Sequence, residues 1–241
     1  MTRGILLAAM LLLAGNAEAQ PVKIERNSAA LEFTYAWPRE AAAVPALSRQ
    51  FRAEAQRAYR QALAIAAGDQ KLAKQQKRDY NPEFYSKQWT TAGQSQRLLS
   101  LQYELGSYTG GAHPNTSYGA MLWDRRAGKP INVTDVFLRS NAFSALTRAR
   151  YCAALDAERD KRRQGEKLEG EFAECPKYRD LAIAPLDKNK DGRFDTIDFV
   201  ASPYTAGPYV EGEYAISLPV TSQLIAAIKP EYRSAFARQR Q

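Results

Sequence analysis

Residues 22–25 and 30–37 alternate apolar and polar side chains with the period of two expected of strands, and Pro38 ends the second. From Pro45 the period changes. Leu47, Phe51, Ala55, Ala58, Ala62, Ile65 and Leu72 recur at spacings of three, four and seven, which predicts an amphipathic helix running to about residue 78. Its other face carries Arg49, Arg52, Arg57, Arg60, Lys71, Lys74, Lys77 and Arg78, either a ligand-facing patch or a solvated face. Residues 97–105 and 118–123 read as strands joined by a glycine-rich loop, and the second feeds a hairpin through residues 126–130. Thr134 or Asp135 is placed to cap a helical turn at Val136 and Phe137. A second long helix is predicted from about 141 to 163, followed by a charge-rich exposed stretch over 160–170. Residues 181–186 and 193–200 predict a strand pair around a turn at Asp191 and Gly192. Residues 213–218 alternate again, and 220–229 form a short terminal helix. Strands and helices cluster instead of alternating, so the expected fold class is α+β, with antiparallel sheets packed on two long helices and a short C-terminal one.

The N-terminus changes the picture of where the chain works. Arg3 precedes an apolar run over residues 5–14, and Asn16-Ala17-Glu18-Ala19 places small residues three and one before a cut. This is the pattern of a signal peptide, residues 1–19, cleaved after Ala19. A membrane anchor needs roughly 20 consecutive apolar residues, and neither this run nor any later one reaches that length. Asn16 stands where a lipoprotein would have cysteine, so no lipid anchor is indicated. The expected location is the periplasm, which makes nucleic acid a poor partner. The net charge of +8 survives removal of the leader, because Arg3 and Glu18 leave together. A basic envelope protein is drawn to anionic wall polymers or lipid headgroups. Cys152 and Cys175 are the two cysteines, and in an oxidising compartment they are expected to form a disulfide. Closing that loop stabilises the fold by roughly 3 kcal/mol. With one histidine in the chain, a zinc site has few partners.

Three segments carry a resemblance. Tyr108-Thr109-Gly110-Gly111-Ala112-His113 follows a strand, and Gly207-Pro208-Tyr209-Val210-Glu211-Gly212-Glu213-Tyr214 leads into one. With Ile131-Asn132-Val133-Thr134-Asp135-Val136-Phe137 ahead of a helix, they resemble the extracytoplasmic region of the PdaC/RsiV-like family. The resemblance covers nearly all of the chain after residue 19, and implies a PdaC-like subdomain at 20–118 and an RsiV-like one at 119–241. In that family RsiV binds lysozyme, and PdaC joins a related region to a metal-dependent polysaccharide deacetylase domain. The sigma-binding segment is absent, and His113 alone does not supply the histidines of a deacetylase site. A lysozyme partner would also meet long-range repulsion from a basic protein. A local acidic patch drawn from Asp187, Asp191, Asp195, Asp198, Glu211 and Glu213 could offset it.

Three candidate sites remain. His113, with Tyr108, Gly110 and Gly111, sits in a loop suited to a ligand contact or proton carrier; a histidine that simply holds a tight turn is the plainer alternative. Tyr204, Tyr209 and Tyr214 among prolines and glycines, with Glu211, form either a platform for sugar rings or the lid of a core. Asp187, Asn189, Asp191, Arg193 (through its carbonyl), Asp195 and Asp198 follow the spacing of a calcium-binding EF-hand loop, with Gly192 at its sharp turn. Pro185 argues against the entering helix such a loop needs, and an Asp-Gly hairpin turn is the alternative. No G-x-S-x-G elbow accompanies the histidine. The expectation is therefore a non-catalytic binding or accessory protein recognising a cell-wall glycan or a wall-degrading enzyme such as lysozyme. A peptidoglycan hydrolase or deacetylase using Glu211, Glu213 and His113 is the competing class, and a calcium-stabilised structural protein the third.

Overall fold

The structure, a computed structural model, describes residues 19–239; the expected signal peptide lies outside the described residues except for Ala19. Chain order begins with β1 (Val22–Asn27) and β2 (Leu31–Trp37), then a short α1 (Arg39–Ala42) and the long α2 (Pro45–Gln75). β3 (Glu83–Gln94), β4 (Leu98–Tyr108), β5 (Asn115–Asp124) and β6 (Lys129–Ile131) complete a six-stranded sheet in the order β1-β2-β3-β4-β5-β6. All its pairings are antiparallel except β2 with β3, which run parallel because α2 carries the chain back to the start of the sheet. Of the apolar face expected for α2, Leu47, Phe51 and Ala55 are buried, with Ala66, against Phe33, Tyr35, Trp37 and Trp89, whereas Ile65 and Leu72 are exposed because the later turns of the helix are less covered. Each large side chain so enclosed contributes about 2–3 kcal/mol.

β3 is the strand that local patterning does not announce. Its core side reads Glu83, Tyr85, Lys87 and Trp89, so two charged residues interrupt the apolar alternation. Lys87 is nevertheless satisfied. Its ammonium donates to Glu54 at 2.5 Å and lies 3.8 Å from the Tyr103 ring centre and 4.8 Å from that of Trp89.

The second half packs against the other face of this sheet. After β6 comes a 3-10 turn, Val133–Val136, capped by Asn132 and not by Thr134 or Asp135; Asp135 instead accepts from the Asn132 N–H at 2.8 Å. α3 (Ala142–Arg162) follows, then a second, three-stranded antiparallel sheet of β7 (Ala182–Leu186), β8 (Thr196–Ala201) and β9 (Tyr214–Pro219). The short α4 (Ser222–Ala227) and α5 (Pro230–Arg233) close the chain, α4 being capped by the Thr221 hydroxyl. Phe143, Tyr151 and Leu155 of α3 bury themselves with Phe199, Tyr214 and Ile216. β7 crosses the first sheet beside a bulge at Thr91 and Gly93, where any Cβ on Gly93 would stand 2.7 Å from the Asp187 nitrogen. The α+β class is therefore observed, with both sheets and both long helices in place. The boundary expected between residues 118 and 119 falls inside β5, because the first sheet continues to Ile131.

Cys152 on α3 is disulfide-bonded to Cys175, with Cα atoms 5.6 Å apart. No helix among the described residues is long and apolar enough to cross a membrane.

Asp124 ties the two halves together. Its fully buried carboxylate accepts from Arg97 at 3.0 Å, from the Arg126 and Ala127 backbone N–H groups at 2.9 and 3.0 Å, and from the Tyr232 hydroxyl at 2.9 Å. Burial pushes its pKa up, and these donors together outweigh burial, leaving it at about 2. A carboxylate held below its ordinary value stabilises the fold above about pH 4 and loses that contribution as pH falls through 2. Asp124→Asn should therefore cost about 3 kcal/mol at neutral pH, with the gap to the parent narrowing toward pH 2. Urea unfolding at both pH values measures this, and equal stability at neutral pH would contradict the assigned role.

Candidate functional site: a groove between the sheets and a ring patch

The β4–β5 loop turns through Gly110 and Gly111, whose φ angles of 84° and 105° favour residues without a Cβ. It delivers His113 to a second loop, residues 202–213. There the imidazole stacks on Tyr209 with ring centres 3.8 Å apart. His113 Nδ1 donates to the Pro114 carbonyl at 2.8 Å, which leaves Nε2 facing the Tyr204 hydroxyl at 3.4 Å. Tyr209 donates to the same Pro114 carbonyl at 2.6 Å, and its ring centre lies 5.6 Å from that of Tyr204. Tyr204 is 55% exposed and has a φ of 70°, a conformation a bulky residue adopts only when its surroundings impose it. Three rings thus form an open patch at the loop tips.

The loop beneath is fixed by arginines of α3 and its C-terminus. Arg159, 3% exposed, donates to the Ala206 carbonyl at 2.8 and 3.0 Å and to the Glu174 carbonyl at 2.9 Å. Arg162 reaches the Glu211 and Glu213 carbonyls, each at 2.7 Å. Arg163 holds the Glu211 carboxylate by two bonds of 2.8 Å, and the Tyr214 hydroxyl donates to the same carboxylate. The hydrogen bonds from Arg163, then those from Tyr214, lower the pKa of Glu211 against the opposing effect of burial.

The candidate residues therefore fall into separate places. His113 and Tyr209 meet, with Tyr204. Glu211 and Tyr214 turn inward as ties for the loop. Tyr108, Gly110 and Gly111 line a different cavity of about 400 Å³, together with Asp69 and Glu83. Glu83 is pushed up to about 7 there, first by burial and then by its hydrogen bond with Asp69 and that group's charge.

Beside the aromatic patch, the two sheets enclose a groove of about 520 Å³. Alternate residues of β3, namely Ser86, Gln88 and Thr90, project into it, joined by Gln102 and Glu104 of β4. Tyr118 of β5 and Asp198 of β8 face them, and Thr116 and Glu213 in the lining stand two residues from Pro114 and four from Tyr209 in the chain. Asp198 accepts from Gln102 at 3.0 Å and from Ser217 at 2.8 Å. Burial, then the charges of Glu213 and Glu104, push the Tyr118 phenol up to about 12, so it stays a neutral donor. A second cavity of about 580 Å³ continues from the groove past Tyr118 and Gly119 toward Asn132 and Arg179. Phe84, Tyr103 and Val200 also line the groove, so it offers a ligand apolar surface as well as hydroxyl, amide and carboxylate groups.

In the Asp187–Asp198 stretch, the first part closes on itself. The Asp187 carboxylate accepts from the Asp191 and Gly192 N–H groups at 3.1 and 2.9 Å, and Asp191 accepts from the Arg193 N–H at 3.0 Å. Asn189 accepts from the Asp191 N–H at 3.0 Å, and buried Asp195 accepts from the Lys188 N–H at 3.2 Å. Asp198 stands apart on β8, in the groove. Among the described residues, no group of three histidine, cysteine or acidic side chains is placed to hold a metal ion.

The class these features define is an α+β fold of two sheets, and comparison with known proteins gives its relatives. Residues 24–116 match the family model described as Deacetylase PdaC. The fold is that of a DUF3298 family protein from Pseudomonas aeruginosa PAO1, 17% identical, with 91% of this chain and 97% of that one covered and a TM-score of 0.55. A second, from Bacteroides fragilis NCTC 9343, is 16% identical over 89% of this chain and 96% of that one, with a TM-score of 0.54. No curated protein matches. The chain is thus similar to PdaC/RsiV-like proteins of unknown function, as its sequence motifs imply.

Because Glu211 neutralises a nearly buried Arg163, its removal strands a charge. Glu211→Ala should lower stability by about 3 kcal/mol, and Glu211→Gln by less. Thermal or urea melts check this, and an Ala variant that melts with the parent would show that Glu211 is not a structural tie.

Proposed function

We propose that this is an exported periplasmic binding or accessory protein of the RsiV-like type that recognises a cell-wall glycan. The disulfide and the likeness to PdaC support the compartment. The observations that support the ligand class are the groove between the sheets, with Gln88, Gln102 and Tyr118 in its lining, and the separate open ring patch of His113, Tyr204 and Tyr209. A sugar chain presents hydroxyls and amides to Gln88, Gln102 and Tyr118, and one ring stacks on Tyr204. Soluble peptidoglycan oligosaccharides should bind in calorimetric titration without being cleaved or deacetylated. Tyr204→Ala should weaken them about tenfold, the worth of one stacked ring. Turnover, or affinity unchanged in both Tyr204→Ala and Gln88→Ala, would overturn the proposal.

A wall-degrading enzyme such as lysozyme is the second partner in view. The carboxylates of Glu104, Asp198 and Glu213 favour a basic surface at contact range, although the net charge of +8 opposes its approach.

Calcium remains a proposal for the loop at Asp187, Asn189, Asp191, the Arg193 carbonyl and Asp195. It is supported by the Gly192 N–H turned onto the Asp187 carboxylate, as at the sharp turn of a calcium loop. Millimolar calcium should then raise the melting midpoint by several degrees, and Asp187→Ala should remove the shift. An unchanged midpoint in the parent ends the calcium proposal.

A further inference from the structure

The charges of α2 are sorted by face. Its two acidic residues each engage β3: Glu54 takes the Lys87 ammonium at 2.5 Å, and Asp69, itself exposed, hydrogen-bonds Glu83. Its six cations, Arg49, Arg52, Arg57, Arg60, Lys71 and Lys74, are all exposed on the opposite side, with Lys77 and Arg78 continuing the series. Arg52 lies over the Trp37 ring at 5.4 Å. Arg49, Arg57, Arg60, Lys71 and Lys74 make no hydrogen bond, ion pair or ring contact among the described residues, and they line none of the cavities described above.

A helix face selected only for solubility would pair acids with bases one turn apart. This one sets like charges three residues apart, at Arg49–Arg52, Arg57–Arg60 and Lys71–Lys74, each pair mutually repulsive. Arginines in its N-terminal half also oppose the helix dipole, and its first turn has no acidic residue. The arrangement works against helix stability and becomes favourable when an anionic surface lies alongside.

At about 1.5 Å per residue the ridge is about 45 Å long. Its cations are spread along it and do not converge on a point, which suits an extended surface better than a small ligand. Ile65, between the two basic clusters in the chain, is 44% exposed, whereas Leu72, equally exposed, lines the cavity of Asp69 and Glu83.

The geometry points to the outward face of α2 as a docking surface for an anionic phospholipid bilayer. The protein lies on the lipid along this ridge, independently of any glycan in the groove.

Sedimentation with vesicles tests this. The protein should partition onto mixed phosphatidylglycerol and phosphatidylcholine vesicles and not onto phosphatidylcholine alone, and salt should release it. The triple variant Arg60→Glu, Lys71→Glu, Lys74→Glu should lose at least about tenfold in partition. Its melt should stay within a few degrees of the parent, since all three side chains are exposed. Arg139→Glu, an exposed cation away from α2, should keep binding. Equal partition onto both vesicle types, retained binding in the triple variant, or an equal loss in Arg139→Glu would each overturn the proposal. So would tighter binding to soluble polyphosphate than to the vesicles, which would assign the ridge to a free polymer.

Discussion

The geometry of the second half depends on one buried guanidinium. Arg159 lies inside the protein with its N–H groups directed at the carbonyls of Ala206, Glu174 and Ala173 and at Asp156. A buried cation lacking those acceptors would be strongly unfavourable. Two stretches of loop and short 3-10 turns, one before β7 and one before β9, therefore converge on α3. The other arginines of that region extend the constraint: Arg148 donates to the Cys175 and Pro176 carbonyls, and Arg163 takes Glu211. The disulfide anchors the first stretch to the same helix. What looks like loop is set as firmly as a strand, and the ring patch of Tyr204 and Tyr209 inherits its position from it.

Legibility in the sequence followed how local each cause was. The amphipathic period of α2, the α3 helix, the β5–β6 hairpin and the Cys152–Cys175 pair all depend on neighbours in the chain or on cysteine count, and each was legible. β3 was hidden because Lys87 is buried only by virtue of Glu54 on α2 and the rings of Tyr103 and Trp89. Once that strand was missed, the parallel pairing and the groove were out of reach, since the groove takes alternate residues from β3, β4, β5, β8 and β9. The His113 and Tyr209 motifs drew attention to the right loops. Their contact, and the inward turn of Glu211 and Tyr214, depended on arginines that in sequence merely looked like a charged helix end.

Buried charges in this protein are met in different ways: Lys87 has Glu54, Asp124 has Arg97 and Arg163 has Glu211, whereas Arg159 directs most of its N–H groups at carbonyls. Buried Asp195 instead accepts from the Lys188 N–H and the Thr196 hydroxyl.

The edges of the six-stranded sheet bear on how the chain can be divided. At one side, β1 exposes Lys23, Glu25 and Arg26; at the other, β6 is three residues long and includes Pro130. Charges, shortness and proline all discourage a neighbouring molecule from adding a strand. The family match ends at residue 116, two residues into β5. A fragment stopped there would lose most of β5 and the guarded border, leaving the β5-side edge of β4 open over Leu98–Leu105. Such an open edge invites a strand from a second copy, so a truncation at the end of the family match exchanges a guarded border for a raw one.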